Sequence, residues 1–126
     1  MKTRGEVEAL VCEGVARFMQ EFMGRGPKEI RTHLIGNLIL VRLQGILTPA
    51  ESSLAAVQPP EKGRDMLKSV RTYLLETSRS RIDAVIAAST DLVCVSMHHD
   101  ISTVTGEEIF VFTLSGEVDL RDVKRK

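Results

Sequence analysis

The run Glu29-Ile30-Arg31-Thr32-His33-Leu34-Ile35-Gly36-Asn37-Leu38-Ile39-Leu40-Val41-Arg42-Leu43-Gln44 decides the fold. Glu29 to Ile35 alternates, Gly36-Asn37 is a turn dipeptide, and Leu38 to Leu47 is a second β-like run. Glycine at the first central position suits a two-residue type II′ turn, whose twist matches the strands it joins. A turn that short fixes the register. Ile35 faces Leu38, His33 faces Leu40, Arg31 faces Arg42 and Glu29 faces Gln44. Pleating then puts Ile30, Thr32, Leu34, Ile39, Val41 and Leu43 together on the other side, which is the core face.

Working outward, Val7, Leu10, Val11, Val15, Phe18 and Phe22 recur at helical spacing and predict an amphipathic helix from about Glu6 to Met23. Gly24-Arg25-Gly26-Pro27 ends it, because proline cannot continue a helix and glycine suits the cap. Downstream, Thr48-Pro49-Ala50-Glu51 has the form of a capping box, with proline at the first helical position. That helix is stopped by Pro59-Pro60. A longer one is expected from about Glu61 to Ala88, with Leu67, Val70, Leu74, Ile82, Val85 and Ile86 as its buried stripe and Arg71, Arg79 and Arg81 around the rest. Leu92 to Ile101 and Glu107 to Leu114 read as a second hairpin around the polar loop Ser102 to Gly106.

The expected architecture is a two-layer α+β domain of order α-β-β-α-α-β-β. Its two β-hairpins form a mainly antiparallel four-stranded sheet with helices packed on it. One domain spans residues 1–114, and 115–126 is a charged, frayed tail. Ile109, Phe110, Val111 and Phe112, with Ile35 and Leu38, put apolar residues on both faces of the sheet. A second subunit covering the open face would repair this, so a homodimer is expected.

Lys+Arg and Asp+Glu are both 17, so the formal net charge is zero, without the basic excess that phosphate neutralisation asks for. With one Tyr, four Phe and no Trp there is also little to stack bases on, and nucleic acid is not an expected partner. No apolar run approaches the roughly 20 residues of a membrane span. The expected location is cytoplasmic, with any membrane contact peripheral and made through a partner. Cys12 and Cys94 are then reduced thiols. No C-x-x-C pair is present, and no cofactor is called for.

Two clusters could carry chemistry. His98-His99-Asp100 lies on a strand, so His98 and Asp100 share one face while His99 points to the other. Glu107 or Glu108 across the hairpin could complete a small metal-dependent or acid–base site. A catalytic zinc needs about three protein ligands, however, and His98 with Asp100 supplies half a site. The competing reading makes these residues a polar loop site with structural hydrogen bonds, no catalytic residue and no metal. The second cluster is Arg31 opposite Arg42, with His33 beside them. Like charges directly opposed on a sheet call for a neutralising carboxylate or a bound anion, or else they splay into solvent.

Gly24-Arg25-Gly26-Pro27, the Leu34-Ile35-Gly36-Asn37 turn, Leu43-Gln44-Gly45 with Leu47-Thr48-Pro49-Ala50-Glu51, and His98-His99-Asp100-Ile101-Ser102 with Thr105-Gly106-Glu107-Glu108 occur in an order that resembles the MpsC-like family of small bacterial proteins. The resemblance covers about residues 4 to 114. It implies an accessory role beside a membrane-potential-generating, cation-translocating system tied to sodium and bicarbonate uptake, and it carries over no catalytic residue. The expected function is a non-enzymatic accessory or regulatory subunit that binds a protein partner at the membrane or a small anion. A small enzyme centred on His98, Asp100 and Glu107 or Glu108 is the alternative.

Overall fold

In a computed structural model that describes residues 1–121, the chain folds as four helices and one four-stranded sheet. Thr3 caps the first helix, α1 (Arg4–Phe18), through a capping box with Glu6, so the helix starts before the expected Glu6. A π-helical turn, Met19–Met23, extends it, and Gly24 closes the segment at φ 84°. Val7, Val11, Val15, Phe18 and Met19 are buried, while Leu10 and Phe22 are exposed.

Strands β1 (Glu29–Ile35) and β2 (Leu38–Gln44) pair in the register expected from the turn, with Ile35 opposite Leu38 and Arg31 opposite Arg42. Gly36 has φ 60°. This positive value at the first central position is the one a type II′ turn requires and a β-carbon resists. Strands β3 (Cys94–Ile101) and β4 (Glu108–Leu114) form the second hairpin, and β4 docks on β2. The order across the sheet is β1-β2-β4-β3, and every pairing is antiparallel. A bulge between Cys94 and Ser96 re-phases β3.

The helix expected from Glu61 to Ala88 is two helices. After α2 (Pro49–Ala55), α3 runs Pro60–Thr77 and α4 runs Arg79–Thr90, with the break at Ser78. Thr77 and Ser78 both bond the Leu74 carbonyl, the first through its hydroxyl and the second through its N–H. The Ser78 bond is an ordinary helical i to i−4 bond, whereas the Thr77 hydroxyl bond is the local kind that weakens helix continuation. Ser78 itself leaves helical geometry at φ −104° and ψ 13°. The break turns α4 onto α1, where Val85 lies against Gly14. It also corrects the stripe. Leu67, Arg71, Leu75, Ile82 and Ile86 point inward, whereas Val70 and Leu74 are exposed. At Gly63 a β-carbon would meet the Leu54 carbonyl at 2.1 Å, so glycine is what lets α3 lie close to α2.

The core lies between the helices and one face of the sheet. Val7, Val11 and Val15 of α1 and Ile82 and Ile86 of α4 join Leu34, Ile39, Val41, Phe110 and Phe112. Beyond β4, Val118 and Leu120 pack on this core, and Leu120 forms a parallel bridge with Lys2. The rest of the expected tail, 122–126, lies outside the described residues.

Candidate functional site

The sheet has a second face, and all six candidate polar residues belong to it or to its rim. Its rows follow from the register. One row is Ile35, Leu38, Thr113 and Ser96; the next is His33, Leu40, Val111 and His98; the third is Arg31, Arg42, Ile109 and Asp100. The two histidines thus occupy opposite edge strands, separated by three inter-strand spacings or about 14 Å. They do not converge on one point. His99 projects to the other face, as pleating demands, with its ring 6.0 Å from that of Phe110.

The centre of this face is apolar. Leu40, Ile109 and Val111 are half-buried, while Leu38 and Ile35 are exposed. Charge is confined to the rim and largely paired. Arg42 Nε donates to Glu107 Oε2 at 2.5 Å, and Gln44 donates to the same oxygen at 3.4 Å. Glu107 therefore supplies the carboxylate for Arg42, one of the two opposed arginines. Arg31 lies 3.9 Å from Glu29 and is otherwise open to solvent. Arg31, His33, Arg42 and Gln44 help line a shallow depression of about 460 Å³.

At the far edge, Asp100 accepts from Lys68 Nζ at 2.9 Å and from the Ile101 N–H at 2.8 Å. The Lys68 hydrogen bond, aided by that N–H, holds the Asp100 carboxyl below the usual carboxylate range. The loop beyond is closed by its own bonds, Gly106 N–H to the Ser102 carbonyl and Ser102 N–H to the Glu107 carbonyl. Among the described residues, no three His, Cys, Asp or Glu side chains come together in an arrangement that could hold a metal ion.

The neighbouring carboxylates Glu107 and Glu108 point opposite ways. Glu108 is fully buried and takes two bonds from Arg71, at 2.8 Å from one terminal nitrogen and 3.3 Å from Nε. The other terminal nitrogen of Arg71 reaches Glu51 at 2.5 Å, and Glu51 also accepts from Thr48 N–H as part of the α2 cap. Burial alone would depress the guanidinium, but the bonds and charges of Glu108 and Glu51 outweigh it and raise its pKa. Sequence reasoning placed Arg71 on the helix periphery and missed this cluster. The signal was present in the spacing: Arg71 sits four residues from both Leu67 and Leu75, on the buried row.

The thiols are separate from both clusters. Cys94 is buried, and burial pushes its pKa up. Cys12 is half-buried on α1, with Sγ 3.1 Å from the Thr32 hydroxyl.

Residues 3–116 match the family described as Na+-translocating membrane potential-generating system (MpsC). The chain belongs to the MpsC family. A relative within reach of sequence comparison is the uncharacterized protein YbcI of Bacillus subtilis (strain 168), 29% identical over 118 residues, covering 94% of this chain and 93% of that protein. No solved structure matches the chain. Several motifs that carry the MpsC resemblance have definite tasks here: Gly36-Asn37 makes the β1–β2 turn, Thr48 and Glu51 cap α2, and Glu107 and Glu108 hold Arg42 and Arg71.

Proposed function

We propose that this MpsC-family chain is a non-enzymatic accessory subunit that docks through the open face of its sheet onto a protein partner in a cation-translocating membrane system. The observation that carries the reading is the composition of that face. Leu38, Leu40, Ile109 and Val111 form an apolar centre, and Arg31, the Arg42–Glu107 pair and the Lys68–Asp100 pair form a charged rim. An apolar core inside a polar rim is the anatomy of a protein interface, and it differs from the concave pocket of an enzyme. Among the described residues, no helix is long and apolar enough to cross a membrane. Membrane association in this reading goes through the partner.

The test is capture on the immobilised chain from detergent-solubilised native membranes. Membrane-embedded subunits should be retained by the parent and lost with Leu40→Asp and with Val111→Asp, each checked for an unchanged circular dichroism spectrum. Equal retention by both variants would defeat the reading. Turnover lost in His98→Ala, with capture unaffected, would favour the acid–base alternative at His98, Asp100 and Glu107.

A further inference from the structure

The expected buried stripe of α3 fails at two positions, and the failure has a pattern. Met66 is 50% exposed, Val70 49%, Tyr73 70% and Leu74 38%. These residues make a second apolar row on α3, beside the buried row Leu67, Arg71 and Leu75. Val57, at the end of α2, is also exposed and lies against Gly63 of α3. Met66, Val70, Tyr73 and Thr77 follow at alternating four- and three-residue steps, the spacing of a helix-pair seam.

We propose that this stripe is the seam of a homodimer in which two α3 helices pack antiparallel about a two-fold axis near Val70. The choice of a second copy as occupant rests on charge. Lys62 and Glu76 are both exposed, lie on the same flank of the stripe and stand two heptads apart. An antiparallel two-fold pairing centred near Val70 sets Met66 beside Tyr73 of the second copy and Lys62 beside its Glu76. The symmetry makes each contact twice. In a parallel pairing the two-fold carries this flank to opposite sides of the seam, so Lys62 and Glu76 of the two copies would not meet. Lys68, which reaches Asp100 on the rim of the sheet face, lies on nearly the opposite side of the helix from Val70. Pairing through α3 therefore leaves the sheet face free, so the dimer stands apart from the docking reading above and either can fail alone.

Sedimentation of the full chain at micromolar concentration should give about twice the 14.0 kDa chain mass. Val70→Glu/Tyr73→Glu should give the single-chain mass with an unchanged melting temperature at low concentration, because both positions are exposed. Glu76→Lys should weaken the dimer several-fold, and adding Lys62→Glu should restore it. A parent that is monomeric across the range would overturn the proposal. So would a dimer that survives the Val70 and Tyr73 changes, or one dissociated by Leu40→Asp in their place, which would put the second copy on the sheet. Failure of the reversed charge pair to restore association would overturn the antiparallel arrangement.

Discussion

Arg71 and Glu108 meet in the interior as a two-pronged pair, the first 1% and the second 0% exposed, and the same guanidinium also holds Glu51. One side chain thereby ties α3 to β4 and to the cap of α2. Two carboxylates share one cation, and Glu51 is the more exposed of them.

Removing the cation should be costly. Arg71→Met strands Glu108 without a partner in the interior, and breaking a buried pair from one side costs about 3–5 kcal/mol. Urea unfolding should show a loss of that size. Changing Arg71→Met and Glu108→Leu together should recover much of it, since an apolar replacement of a buried pair is often tolerated. A single variant as stable as the parent would show that the Arg71–Glu108 pair does not hold the fold together.

The β1–β2 turn depends on one glycine. Gly36→Val forces a β-branched residue to φ near 60°, with a destabilisation on the order of 1 kcal/mol or more. Thermal unfolding measures it directly, and an unchanged melting temperature would show that the turn relaxes to another type.

Glu107 neutralises the rim. In Glu107→Gln, Arg42 loses its counter-charge while still opposed to Arg31, at a cost below about 1 kcal/mol because the Arg42 side chain reaches solvent. Sulfate stabilises any folded chain by exclusion from its surface, so bound anion should show as a larger gain in the variant than in the parent. Denaturation at matched ionic strength in chloride and in sulfate separates specific anion binding from screening.

Asp100 should titrate below its ordinary value, with Lys68 as the main cause. The sign follows from linkage. Because the folded value is depressed, the stabilisation is complete above the unfolded value of about 3.9 and is lost as pH falls through the folded one. The pair is exposed, so the effect on stability is under about 1 kcal/mol. Carboxyl resonances followed by NMR should show Asp100 moving up in Lys68→Met, and no movement would assign the depression to the Ile101 N–H alone.

The β1–β2 hairpin was legible because its information is local. Alternation names the faces, Gly36-Asn37 sets the register, and no distant contact can alter either. The opposite directions of His98 and His99 followed from the pleat in the same way. The helical region was less legible because apolar residues mark a face without saying what covers it. Val70 and Leu74 are as apolar as Leu67, and only the path of the chain after Ser78 decides which row meets the sheet. Arg71 was misplaced for the complementary reason. A charged side chain enters a core only when its partners are already there, and those partners, Glu51 and Glu108, lie 20 and 37 residues away in sequence.

Lys2 lies beside Leu120, and the Arg121 N–H donates to the Lys2 carbonyl at 2.8 Å. A short peptide could join these two points without disturbing the sheet. The backbone can then be reopened elsewhere, and the polar Ser102–Gly106 loop is the natural place to cut. Such a rearranged chain would begin with β4 and end with β3, placing both new ends beside Asp100 on the rim of the open face. A reporter fused there would sense whatever approaches that face, while the α3 stripe on the far side of its helix remained unencumbered.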